Sequence, residues 1–148
     1  NQANTCSLPL ALSTQAVESI FWELFENAKK FHPENTPDVL VEIDSFSAAT
    51  RDGDTQPSLL IRISDNGVHL TPDQLHMAWL PYYQGEKYLT GEVSGMGLGL
   101  PMVAALVWKV GGECRIYNRM NAPGIVVEVT IPLRPGQCDL EPTLCLKK

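Results

Sequence analysis

Trp22-Glu23-Leu24-Phe25-Glu26-Asn27-Ala28-Lys29-Lys30-Phe31 reads as the second half of a long helix. At 3.6 residues per turn, Glu23 and Asn27 lie four apart, and Asn27 and Lys30 three apart, so one stripe carries a carboxylate, an amide and an ammonium. Val17, Ile20, Phe21, Leu24, Ala28 and Phe31 fall on an adjacent apolar stripe. A helix that buries one stripe and holds three different polar groups beside it can form one wall of a site. The same pattern also describes an amphipathic helix with solvated i,i+4 partners, and both readings stay open on this stretch alone.

Working outward, Ser13 and Thr14 suit the helix N-cap, Glu18 follows early in the helix, and His32-Pro33 stops it. Before it, Thr5 to Leu12 reads as a short edge strand limited by Pro9. After a loop from Pro33 to Asp38, Val39, Val41 and Ile43 alternate with Leu40, Glu42 and Asp44, which predicts a strand with one buried face. Ala48 to Ser58 is a hairpin-type connection, longer than most. Leu59, Ile61 and Ile63 form a second strand that ends at the turn signal Asp65-Asn66-Gly67.

Thr71-Pro72-Asp73 starts a short helix that ends before Pro81, and Tyr82 to Gly95 has the composition of a mobile loop. Ser94 to Leu100 leads into a helix through Val110 that is apolar nearly all round and is expected to be buried, with Gly111-Gly112 ending it. Cys114 and Ile116 mark a third strand, Asn121 to Gly124 a turn, and Ile125, Val127, Val129 and Ile131 a fourth strand stopped by Pro132. Hairpin-linked strands beside long helices predict an α/β (α+β) two-layer sandwich, its sheet mixed or mostly antiparallel, with helices on one face. Strict strand–helix alternation, the mark of a doubly wound fold, is missing. Residues 1–134 are expected to form one domain and residues 135–148 a tail.

Composition narrows the partners. Eleven Lys+Arg against seventeen Asp+Glu give a net charge of −6, and the absence of a basic run argues against nucleic acid and anionic membranes. No apolar run approaches the length of a membrane span. The four cysteines, Cys6, Cys114, Cys138 and Cys145, show neither CxxC spacing nor a paired histidine, so a reducing cytoplasm is the expectation, with Cys114 a core thiol. The chain opens on Asn1 and reads as a piece of something longer.

Two further constellations carry chemistry. Asp65 shares parity with Leu59, Ile61 and Ile63, so it points inward, where a carboxylate needs a donor. A simple turn-capping aspartate would also satisfy the pattern. Gly95-x-Gly97-x-Gly99 opens the apolar helix, where glycines allow close backbone approach and free N–H groups favour an anion. A phosphate is the natural ligand there, although the spacing is neither GxxxxGK[ST] nor a strand-linked dinucleotide fingerprint, and a glycine hinge fits as well.

Taken in chain order, these pieces resemble the GHKL ATPase superfamily, with its Bergerat-type ATP-binding fold. The nearest resemblance is to the catalytic ATP-binding domain of sensor histidine kinases. Residues 23–31 look like the N box, Ser64-Asp65-Asn66-Gly67 like the G1 box, Leu80-Pro81-Tyr82-Tyr83-Gln84 like the F box, and Gly95 to Leu100 like the G2 box. The resemblance spans residues 8 to 133. It implies ATP and Mg2+ as ligands, with Asn27 on the metal, Lys30 on phosphate, Phe31 against adenine and Asp65 accepting from the adenine amino group. Gly67 would pass close to the base. Gly95, Gly97, Leu98, Gly99 and Leu100 would cradle phosphates, and the loop from Tyr82 to Gly95 would close as a lid.

Four departures stand out. Gly67-Val68-His69 replaces the usual Gly-x-Gly, and Gln84 stands where an arginine is common, with Lys87 a candidate to replace that charge. Pro101 falls in the first turn of the helix, where it is tolerated. Glu23 stands where histidine kinases often have asparagine and hydrolytic members have a general base.

The implied function is transfer of the γ-phosphoryl of Mg-ATP to a histidine on a separate dimerisation domain, with a response regulator downstream and this piece monomeric. His32, His69 and His76 lack the setting of a phosphoacceptor and read as structural. The alternatives are another GHKL ATPase, an anti-sigma-type Ser/Thr kinase, or a degenerate nucleotide-binding module.

Overall fold

The computed structural model describes residues 10–80 and 99–134. Helix α1 (Thr14–Lys30) starts where Ser13 accepts a hydrogen bond from the Ala16 N–H, and Phe31 caps its other end with backbone bonds to Asn27 and Lys29. Strands β1 (Val39–Ala49) and β2 (Thr55–Asp65) follow, then α2 (Pro72–Met77), α3 (Gly99–Lys109), β3 (Glu113–Asn118) and β4 (Ile125–Pro132). The capping box of α2 is reciprocal: Thr71 accepts from the Gln74 N–H while the Gln74 side chain accepts from the Thr71 N–H.

The strands form one sheet in the order β1-β2-β4-β3, antiparallel at every described pairing. Helices α1 and α3 pack on each other, with α3 also against β3 and β4. The core lies between these layers. It joins Ile20 and Leu24 of α1, Val103 and Val107 of α3, and the odd-numbered residues of β2 and β4 from Ile61 to Ile131. The fold class is therefore the expected two-layer α/β sandwich, with period-2 alternation supplying the sheet's buried face and period-3.6 spacing the helical one.

Four expectations need correcting. The β1–β2 connection is short: pairing runs unbroken from Val39–Asp65 to Ala49–Thr55, leaving residues 50–54 as the turn, where the Thr50 and Gly53 N–H groups close it. The expected edge strand from Thr5 survives, among the described residues, as one bridge between Leu10 and Leu133; residues 5–9 lie outside them. Helix α3 buries Leu100, Val103, Ala104 and Val107, yet Met102 and Trp108 face solvent. Most informative is β1, whose predicted buried face is open. Val41 and Ile43 share the helix side of the sheet with Ile63 and Ile61, yet both stand exposed, and neither belongs to the core cluster formed by the described residues.

The opposite sheet face carries a polar network. The Glu128 carboxylate accepts from Arg62 Nε at 2.9 Å and from the Tyr117 hydroxyl at 2.8 Å, and Arg62 also reaches Glu42 at 3.7 Å. Cys114 is the core thiol that alternation predicted, and burial pushes its pKa up to about 12.

Candidate functional site

Helix α1 lies beside one described glycine from each of the other two constellations, Gly67 and Gly99. Glu23, Asn27, Lys30 and Phe31 are all half-buried, while Trp22, Phe25, Glu26 and Lys29 between them are exposed. The polar stripe therefore runs along the margin of the packed helix layer. Near its start, a Cβ placed on Gly99 would lie 2.7 Å from Glu23 Oε2, so the first turn of α3 abuts the Glu23 carboxylate. Near its end, a Cβ on Gly67 would lie 3.1 Å from the Phe31 carbonyl oxygen and 3.1 Å from Asp65 Oδ1. The two glycine positions thus flank the same stretch of helix. The span from Glu23 to Phe31 is about 12 Å along the axis at ~1.5 Å per residue. Lys30 Nζ sits 5.6 Å from the centre of the Phe31 ring, a cation–π arrangement at the helix terminus.

Asp65 is 6% exposed at the end of β2, pointing inward as parity requires. Its Oδ1 accepts from the Gly67 N–H at 2.8 Å and, more weakly, from the Ile125 N–H at 3.4 Å. The turn-capping role is therefore real. Both described bonds fall on Oδ1, and among the described residues no buried side-chain polar atom lacks a partner. Neither of these two bonds falls on Oδ2.

Sequence reasoning missed the supports of this turn, which come from the β3–β4 hairpin. Arg119 Nη1 donates to the Asp65 carbonyl at 3.1 Å and to that of Pro123 at 3.3 Å. Asn118 brackets Leu70, accepting from its N–H and donating to its carbonyl, both at 2.8 Å. His69 Nε2 lies 2.8 Å from the Ala122 carbonyl oxygen. His69, standing where a second glycine was expected, thus ties the strand-end segment to the hairpin tip. Gly124, at φ +103°, lies so close to the Asp65 carbonyl that a Cβ would overlap it. The signal for these contacts was faint, an Asn-Arg pair before a Gly-containing turn, and nothing in local spacing says which loop such a turn touches.

The donor set suits a magnesium–phosphate ligand. No cluster of three or more His, Cys, Asp or Glu side chains occurs among the described residues. A hard cation held by one amide oxygen and by substrate phosphates needs no such cage, and Asn27 lies one helical turn from Glu23 and about one from Lys30. The expected contributions of Lys87, Gly95, Gly97 and Leu98, the lid and most of the F-box stretch lie outside the described residues. Leu100 is described and packs in the core. A hollow of about 330 Å3 lies elsewhere, at the β1–β2 edge, lined by Asp38, Leu40, Ser64, Asn66 and Arg119.

Residues 13–135 match the family described as histidine kinase-, DNA gyrase B- and HSP90-like ATPases. The chain belongs to this family, as an ATP-binding catalytic domain of the histidine kinase kind.

It is 28% identical over 142 residues to the autoinducer 2 sensor kinase/phosphatase LuxQ of Vibrio vulnificus, covering 95% of this chain and 16% of that protein. It is 31% identical over 119 residues to the histidine protein kinase DivJ of Caulobacter vibrioides, covering 80% of this chain and 18% of that one. The chain therefore spans less than a fifth of these relatives. In fold it is similar to the mycobacterial sensor histidine kinase MprB, with TM-score 0.63 and 21% identity over 84% of this chain and 75% of that one. It is also similar to full-length ShkA solved with AMPPNP, with TM-score 0.56 and 20% identity over 80% of this chain and 22% of that one. No helix among the described residues is long and apolar enough to cross a membrane.

Proposed function

We propose that this domain binds Mg-ATP along the Glu23–Phe31 face of α1 and delivers the γ-phosphoryl group to a histidine on a separate phosphoacceptor domain, for onward passage to a response regulator. The observation that carries this reading is the meeting of α1 with both glycine positions, Gly99 beside Glu23 and Gly67 beside Phe31 and Asp65. In it, Asp65 Oδ2 accepts from the adenine amino group and Phe31 lies against the base. Asn27 gives its amide oxygen to Mg2+, which supplies charge neutralisation across the phosphates when bound. Lys30 reaches phosphate, and the first turn of α3 at Gly99 closes the phosphate end together with Gly95, Gly97, Leu98 and Lys87.

The assignment includes a cytoplasmic setting, with residues 1–134 as the domain and residues 135–148 as its tail. Calorimetric titration with a non-hydrolysable ATP analogue and Mg2+ tests it. Binding is expected, weakened by Asp65→Asn, and no heat at millimolar nucleotide would overturn the reading.

A second reading rests on one contact. The Glu23 carboxylate lies against the start of α3, where the phosphate end falls in this assignment, a position suited to orienting water. Steady ATP hydrolysis by the chain, lost in Glu23→Ala, would favour a hydrolytic role. Labelling of an added phosphoacceptor domain on histidine would favour the kinase.

A further inference from the structure

We propose that the outer edge of β1 is a docking site for an extended peptide segment that carries Lys or Arg at alternate positions with aliphatic residues between them. Three observations lead there. First, β1 is an 11-residue edge strand with the sequence Val-Leu-Val-Glu-Ile-Asp-Ser-Phe-Ser-Ala-Ala and pairs on one side only, with β2, among the described residues. Second, of the devices that blunt such an edge, β1 carries only two carboxylates, Glu42 and Asp44, set two residues apart on one face. It has no proline, no lysine and no glycine, and its eleven register pairs with β2 run without a bulge. Third, it is apolar and open on both faces: Leu40 is 58% exposed, Ile43 56%, Phe46 42% and Val41 38%. Alternation patterned for burial, left uncovered along a straight edge, matches the surface used in strand addition. There the backbone supplies affinity and alternate side chains supply specificity.

Charge selects the occupant. On the face away from the helices, β1 presents Glu42 and Asp44 two residues apart. Glu42 is opposed by Arg62 at 3.7 Å, but Arg62 is already bound more closely by Glu128 at 2.9 Å. Asp44 is exposed, pairs across the ladder with Leu60, and has no ion-pair partner among the described residues. An added strand with cations at i and i+2 would place them beside these two carboxylates, while its intervening aliphatic residues would lie beside Val41 and Ile43. A second copy of this chain fits less well. The chain carries −6 and brings no cation on β1, and two-fold pairing centred on Ile43 sets Glu42 against Asp44.

The experiment titrates the chain with a short synthetic peptide of alternating valine and lysine, using backbone-amide NMR and hydrogen exchange. A peptide of alternating proline and lysine serves as a control of equal charge that cannot complete a ladder. The expected result is saturable binding of the valine–lysine peptide, with new protection on alternate amides of β1, and none with the proline–lysine peptide. Asp44→Lys should weaken that binding by about tenfold and admit a valine–glutamate peptide instead. Equal binding of both lysine peptides would overturn the proposal, because charge alone would then explain it. A concentration-dependent dimer in sedimentation that Ile43→Lys disperses would also overturn it, by making the second copy the occupant. Because β1 contributes no residue to the nucleotide face of α1, neither outcome bears on ATP binding.

Discussion

The sheet has two edge strands, and they are finished in opposite ways. β3 has six residues, and its inward pair, Cys114 and Ile116, packs into the core beneath α3. Its outward residues are Glu113, Arg115 and Tyr117, which are charged or tied into the network with Glu128. β1 is almost twice as long, with Leu40, Val41, Ile43 and Phe46 open and only Val39 at its start packed against the core. Both strands show the same two-residue alternation, so alternation does not decide burial; the helix lying over a strand does. The consequence reaches the site. The covered edge belongs to the hairpin whose tip holds the Asp65 turn, through Asn118, Arg119 and Gly124, while the open edge only borders it.

The strongest way to test this contrast is at the hairpin tip. Gly124 combines φ +103° with a position where an added Cβ would overlap the Asp65 carbonyl, so Gly124→Val adds both backbone strain and a clash at the Asp65 turn. We expect a loss of more than about 3 kcal/mol in urea unfolding, with nucleotide binding abolished at temperatures where folded chain remains. The comparison substitution on the open hairpin, Ala49→Val, lies at an exposed strand end and should change stability by less than about 0.5 kcal/mol.

The next contrast uses two residues that face each other. Ile43 and Ile61 are cross-strand partners on the same sheet face, yet Ile61 is 2% exposed while Ile43 stands open. Ile61→Ala should cost about 2–5 kcal/mol, the usual range for emptying a packed site. Ile43→Ala should cost under about 1 kcal/mol, since its atoms gain little on folding. Equal losses in chemical denaturation would mean that β1 is covered in solution.

A smaller effect is expected at Asn118, whose side chain makes both described bonds to the Leu70 backbone. Asn118→Ala should destabilise by about 1–3 kcal/mol, because it strands a part-buried amide and carbonyl. If the hairpin positions the Asp65 turn, nucleotide affinity should fall while the folded baseline is kept. Unchanged affinity would confine Asn118 to stability.

Helix α1, the turn after β2 and the inward aspartate were legible because each is written in local spacing. Asp65 follows from the parity of β2, α1 from its caps and stripe, and the sheet's buried face from Ile61 to Ile131. Two things were not local. Whether Val41 and Ile43 are buried depends on where α1 and α3 land, which strand alternation does not encode. That His69, Asn118 and Arg119 serve one turn depends on a contact between segments about fifty residues apart. The family resemblance supplied the ligand, but its motif lists pass over these supports because the bonds run through backbone atoms or an unusual histidine.

The smallest predicted effect lies on the open sheet face, where β1 and β3 are linked through β2 and β4. Partial burial pushes the Glu128 carboxyl up, but hydrogen bonds from Tyr117 and Arg62 and the charges of Arg62 and Arg115 outweigh it, so its pKa falls below the usual carboxylate range. A carboxylate depressed by folding contributes stability that is fully present above its unfolded pKa and is lost as pH falls through the folded value. Stability should therefore decline below about pH 4, where an unfolded glutamate takes up its proton. Tyr117→Phe removes one of the two hydrogen bonds to Glu128, so the acid loss should shrink while stability near neutrality drops by about 0.5–1.5 kcal/mol. Urea unfolding of both proteins at neutral pH and near pH 3 measures the difference. An acid loss of the same size in both would show that Arg62, rather than Tyr117, holds the carboxylate charged and that the β3 edge stands apart from this network.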